Sequence, residues 1–142
     1  MPEQVKARNS TPGPAPAAPA VLVIDDDPAM LHSLASVFEA HGIGIATARD
    51  GLAGLALFRQ VSPKVVLTDI IMPEQDGTSA IMEMRRQRPG VTIIAMSGGG
   101  RIGRSDFLAV AKQLGADSTV EKPFDVDELV TRIRRHLEPR PS

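Results

Sequence analysis

The chain has 142 residues, 42% of them hydrophobic and 23% charged, with a formal net charge of −1. That length holds one domain with its own core rather than two, and the near-zero charge gives no electrostatic basis for binding nucleic acid or an anionic membrane. Without cysteine there are no disulfides or thiolate metal sites. Carboxylates and three scattered histidines, His32, His41 and His136, remain as metal ligands, and carboxylate sites favour hard ions.

Met1 to Ala20 reads as a disordered tail, since TPGPAPAAPA offers nothing bulky enough for a core. It lacks the apolar core of a signal peptide. No later run approaches the ~20 apolar residues of a membrane span, so the expected location is the cytoplasm.

Val21–Ile24 is a first apolar strand, followed by Asp25, Asp26 and Asp27. Asp27 and Pro28 suit the N-cap and first position of a helix. Leu31, Leu34, Ala35 and Phe38 fall on one stripe of that helix, and Gly42 ends it. A short strand is expected at Ile43–Ala46. Asp50 then caps a second helix with Leu52, Leu55, Ala56 and Phe58 on its inner face. Val65–Thr68 is a third strand, and a loop with Pro73, Asp76 and Gly77 leads to a helix that buries Ile81 and Met84. Met72, Met82 and Met84 read as packing residues. Val91–Met96 is a fourth strand, about Ser105 to Leu114 a fourth helix ended by Gly115, and Ser118–Glu121 a fifth strand. The last helix opens on Asp125, with Leu129, Val130, Ile133 and Leu137 inward. Residues 139–142 form a short tail.

Five strands each followed by a helix predict an α/β fold, a doubly wound parallel sheet of the flavodoxin-like (βα)5 type in the order 2-1-3-4-5. Strands 2 and 5, shorter and more polar, suit the edges. In that order the first and third strands meet at the switch point, where ligands bind beyond the carboxyl ends of the strands. Asp25 and Asp26 end the first strand, Asp69 the third, Ser97 the fourth and Lys122 the fifth. Four strands thus deliver polar residues to one edge.

Those residues, with the run Asp69-Ile70-Ile71-Met72-Pro73, Asp76-Gly77 and Lys122-Pro123-Phe124, resemble the receiver domain of a two-component response regulator. The resemblance runs from Val21 to about Leu137, and the domain is placed at 21–138. It implies that Asp69 accepts a phosphoryl group from a phosphohistidine. Asp25, Asp26, Asp69 and the main-chain carbonyl of Ile71 would hold Mg²⁺, with Mn²⁺ a substitute, and Asp26 and Asp69 would be more direct ligands than Asp25. Lys122 would pair with the phosphoryl oxygens, Ser97 would hydrogen-bond them, and the Lys122–Pro123 bond would be cis. Such a protein is a signalling phosphoacceptor, not a turnover enzyme, although it catalyses its own phosphorylation and a slow dephosphorylation. The implied partners are a sensor histidine kinase or a histidine phosphotransfer protein, and a downstream target protein. Neither nucleic acid nor membrane is expected, and the chain reads as a stand-alone receiver.

Two departures from the family pattern stand out. Thr119 occupies a position where the family usually has an aromatic rotor. The run Gly98-Gly99-Gly100-Arg101-Ile102-Gly103-Arg104 has high backbone freedom, so readout is expected mainly through this loop. A haloacid dehalogenase-type phosphohydrolase also uses an aspartate nucleophile with Mg²⁺ and Lys, and Asp25 and Asp27 have its Asp-x-Asp spacing. Pro28 and the missing cap insertion argue against it. A flavin-mononucleotide binder of the same frame would place phosphate against three carboxylates, which repel it.

Overall fold

The computed structural model describes residues 18–69, 77–97 and 104–138. The expectations placed on the tail before residue 18, on Ile71, Met72, Pro73 and Asp76, on the glycine run at 98–103 and on residues 139–142 lie outside the described residues.

The elements alternate throughout: β1 (Val21–Ile24), α1 (Pro28–Ala40), β2 (Ile45–Ala48), α2 (Gly51–Val61), β3 (Val65–Asp69), α3 (Gly77–Gln87), β4 (Thr92–Ser97), α4 (Arg104–Leu114), β5 (Ser118–Glu121) and α5 (Val126–Leu137). The strands are parallel and ordered β2-β1-β3-β4-β5, as the alternating pattern predicts. Residues of β1, β3 and β4 are buried on both faces, so these strands are continuous apolar runs. Side-chain alternation splits the core in two. Leu22, Ile24, Val66, Ile93 and Ala95 pack with Phe58, Ile81, Met84 and Ala111 from α2, α3 and α4. Val21, Val23, Leu67, Ile94 and Met96 pack with Leu34, Phe38, Leu129 and Ile133 from α1 and α5.

Aspartates start three of the helices. Asp27, Asp50 and Asp125 have extended backbones, and their carboxylates accept from the amides of Ala29, Ala53 and both Asp127 and Glu128, respectively. Each satisfies amides that the first helical turn leaves without partners.

Three local expectations need correction. The second strand begins at Ile45, two residues later than Ile43. The Ile43 amide donates to the Phe38 carbonyl and the Gly42 amide to that of Glu39, with Gly42 at φ +75°. This is a Schellman ending, and Ile43 packs in the same cluster as Phe38. Ile43 therefore closes α1 instead of opening the strand.

The inner face of α2 is also rotated. Leu52 is 70% exposed and Ala56 is exposed, whereas Gly51, Gly54 and Phe58 are buried. A Cβ on Gly54 would collide with the Ile24 side chain. The helix thus lies on β1 through a glycine, and that close approach turns Leu52 outward. Met82, finally, is 56% exposed and is no core residue.

Arg85 joins several pieces at the end of the sheet away from the acidic residues. Its Nε donates to the Gly115 carbonyl at 3.0 Å and its Nη1 to the carbonyls of Pro89 and Val91 at 2.6 and 2.7 Å. Its Nη2 donates to the Gly115 carbonyl and to Asp117 Oδ2, both at 2.7 Å. Asp117 Oδ2 also accepts from the Ile93 amide at 2.8 Å. One guanidinium, with all five N–H groups engaged, ties the end of α3, the turn into β4 and the α4–β5 connection together.

Candidate functional site at the carboxyl edge of the sheet

Asp25 follows β1 directly, and its amide continues the ladder to the Ala48 carbonyl at 3.1 Å. Its side chain has no solvent exposure. One oxygen, Oδ1, accepts from the Asp27 amide at 3.0 Å, and the other accepts from Lys122 Nζ at 2.6 Å. The aspartate triplet therefore divides its work: Asp27 caps α1 with its carboxylate and steadies Asp25 with its amide.

Asp69, the last residue of β3, is buried and pairs in register with Met96. Its Oδ2 lies 3.0 Å from Lys122 Nζ. Asp26 is exposed at the rim. Ligand oxygens of Asp25, Asp26 and Asp69 all lie within 4.8 Å of one another. Lys122 reaches this group from just beyond β5, where its amide donates to the Ser97 carbonyl at 2.8 Å. The Lys122–Pro123 bond is cis, as the resemblance implies.

Charge decides the chemistry here. Burial disfavours the Lys122 ammonium. The hydrogen bonds and charges of Asp25 and Asp69 outweigh that, and its pKa lies above the ordinary 10.5. One ammonium among three carboxylates still leaves net negative charge. The donor set is all oxygen, which fits a small hard cation such as Mg²⁺ and suits neither a soft metal nor a bare anion.

Of the residues singled out from the sequence, the structure brings Asp25, Asp26, Asp69 and Lys122 together. Ser97 is half-buried at the end of β4 on the same edge, opposite Glu121 in register. Ile71 lies outside the described residues. Sequence reasoning missed Thr68, which is fully buried and whose hydroxyl donates to the Asp69 carbonyl at 3.0 Å. Its signal was a hydroxyl inside an otherwise apolar strand.

Thr119 pairs with Ala95, and its carbonyl accepts from Arg132 Nη1 at 3.3 Å. Arg132 also donates to the Ser118 hydroxyl. A guanidinium from α5 thus covers acceptors on the edge strand. No described helix is long and apolar enough to cross a membrane.

Residues 21–134 match the response regulator receiver domain family. The probable transcriptional regulatory protein TcrX of Mycobacterium tuberculosis is 31% identical over 117 residues, covering 82% of this chain and 49% of that protein. The regulatory protein AtoC of Escherichia coli is 35% identical over 118 residues, covering 83% of this chain and 25% of that protein. The chain thus spans at most about half the length of these two relatives. Among solved structures, a CheY-like receiver domain protein from Methanospirillum hungatei superposes with a TM-score of 0.75 at 27% identity, covering 85% of this chain and 94% of the other. The receiver domain of NtrX from Brucella abortus gives 0.74 at 29%, covering 84% and 99%. With its motifs, its strand order and its acidic edge in agreement, the chain belongs to the response regulator receiver domain family.

Proposed function

We propose that the chain accepts a phosphoryl group on Asp69 from the phosphohistidine of a sensor histidine kinase or a histidine phosphotransfer protein, and passes the signal on by phosphorylation-dependent protein binding or onward relay. The observation that carries this reading is the convergence of Asp25, Asp69 and Lys122 from three strands, with both carboxylates within 3.0 Å of one ammonium.

In the proposed reaction an Asp69 carboxylate oxygen attacks phosphorus. The P–N bond breaks, the imidazole leaves with its electron pair, and an acyl phosphate remains on Asp69. Lys122 supports the negative charge on the phosphoryl oxygens, and Ser97 donates to one of them. Asp25, Asp26, Asp69 and the Ile71 carbonyl would hold Mg²⁺, or Mn²⁺ in its place. When bound, the ion neutralises the charge on the transferring group. Asp25, held by Lys122 and the Asp27 amide, keeps the ammonium aimed into the pocket. The residues from Val21 to Glu138 form the receiver and act as a signalling phosphoacceptor with slow self-dephosphorylation. The proposed location is the cytoplasm. Binding to nucleic acid is not assigned to this domain, whose charge gives no basis for it, although relatives such as RpaA of Synechocystis are named as DNA-binding regulators.

The family match disfavours the dehalogenase-type alternative, and labelling separates the two readings. The chain is incubated with acetyl phosphate and Mg²⁺. Incorporation is expected to vanish in Asp69→Ala. Incorporation that survives Asp69→Ala and is lost in Asp25→Ala refutes the proposal.

A further inference from the structure

Among the described residues three polar side chains are buried: Asp25, Asp69 and Thr68. The first two are site carboxylates. Thr68 is not explained by the chemistry above, nor by packing. It lies in register between Ile24 of β1 and Ala95 of β4, both fully buried and apolar. Valine has almost the same shape and would fill that place without a hydroxyl to desolvate. Burying a hydroxyl is unfavourable unless it is hydrogen-bonded. Here the hydroxyl is directed to one acceptor, the carbonyl of Asp69, at 3.0 Å.

That contact matters because of where it acts. Asp69 ends β3, and the next residue begins the segment that carries Ile71. The carboxylate of Asp69 is held by Lys122 at 3.0 Å, and its carbonyl is held by Thr68 at the same distance. Side chain and main chain of the acceptor are thus fixed by separate partners. We propose that Thr68 is a positioning residue for the phosphoacceptor: its hydroxyl sets the peptide that follows Asp69, and with it the aim of the Asp69 carboxylate toward cation and phosphoryl group. This rests on the proposed role of Asp69. Thr68 touches neither ligand and acts only through its neighbour.

Two variants of the full chain test it, with two readouts. Thr68→Val keeps the shape and removes the hydroxyl; Thr68→Ser keeps the hydroxyl and removes a methyl group. Calorimetric titration of the unphosphorylated protein with Mg²⁺ is the first readout. Thr68→Val is expected to weaken binding about 10-fold, as loss of a group that orients a metal ligand does. The rate of labelling by acetyl phosphate at saturating Mg²⁺ is the second, and it is expected to fall about 10-fold or more, through misalignment of the attacking oxygen. Thr68→Ser is expected to bind and label like the wild type, even though it leaves the larger packing defect. Thr68→Val with wild-type affinity and rate overturns the proposal. So does a Thr68→Ser variant as defective as Thr68→Val, because a retained hydroxyl would then fail to preserve function and the site would be sensitive to any change in packing. A wild-type chain that binds Mg²⁺ but takes no label at Asp69 refutes the phosphoacceptor reading, and the titration then decides the role of Thr68 by itself.

Discussion

Lys122→Met removes the ammonium that separates Asp25 from Asp69 while keeping an unbranched side chain. Its ion pairs of 2.6 and 3.0 Å correspond to roughly 5–6 kcal/mol each at an effective dielectric of 20. Desolvation of the three groups cancels much of that. Taking one partner from a buried pair costs about 3–5 kcal/mol net, because the remaining charge is left uncompensated. That is a large share of the roughly 5–15 kcal/mol that stabilises a domain. Urea unfolding of wild type and variant, with chelator and with Mg²⁺, checks the figure. With chelator the variant is expected to be less stable by about 3 kcal/mol. Mg²⁺ at about 100 times its Kd adds about 2.7 kcal/mol to whichever protein binds it. At a fixed, lower concentration the increment is expected to be larger for the variant, since the ion then replaces the missing positive charge. The reasoning is refuted if the variant lies within about 1 kcal/mol of wild type with chelator, the level of an exposed ion pair. An Mg²⁺ increment no larger than that of wild type refutes it equally.

Other consequences follow from the same structure. From neutral pH up to the ordinary lysine value of 10.5 the raised pKa of Lys122 keeps its ammonium charged. The stability difference between wild type and Lys122→Met should therefore hold from neutral pH to about 10.5 and shrink as pH rises through the raised pKa; urea titrations in which it shrinks between neutral pH and about 10.5 would contradict the pairing. Arg85→Ala removes five hydrogen bonds to four acceptor groups and should cost about 2–4 kcal/mol. Hydrogen exchange should quicken first at Ile93 and around Gly115, and uniform quickening would argue against a local tie. Gly54→Ala gains about 1 kcal/mol in helix propensity but places a Cβ against Ile24 at an overpacking cost of about 1–3 kcal/mol. A lower melting midpoint is expected, and a higher one would show that α2 does not rest on that glycine.

The sequence carried the strand order, the helix starts and the gathering of Asp25, Asp26, Asp69 and Lys122, because each depends on signals within a few residues. Apolar runs, Asp caps and residues at strand ends are of that kind. What escaped it depends on partners distant in the chain, except at Ile43, whose amide partner Phe38 is only five residues away. Leu52 satisfies the helical stripe of α2, yet Gly54 meeting Ile24 sets the rotation of the helix. Ile43 has strand-like composition, but its amide belongs to the Schellman ending of α1. Arg85 looks like any basic residue in the last turn of a helix, and three of its five hydrogen bonds depend on Gly115 and Asp117. Lys122 was expected to meet a phosphoryl group. In the structure it is paired with Asp25 and with Asp69, the residue proposed to accept that group.

The most direct measurement is the position of the acyl phosphate. After incubation with acetyl phosphate and Mg²⁺, borohydride reduction converts a phosphorylated aspartate to homoserine, and peptide mass spectrometry locates it. Homoserine is expected at position 69 alone, dependent on Mg²⁺. Homoserine at Asp25, Asp26 or Asp27 with Asp69 unchanged would contradict it.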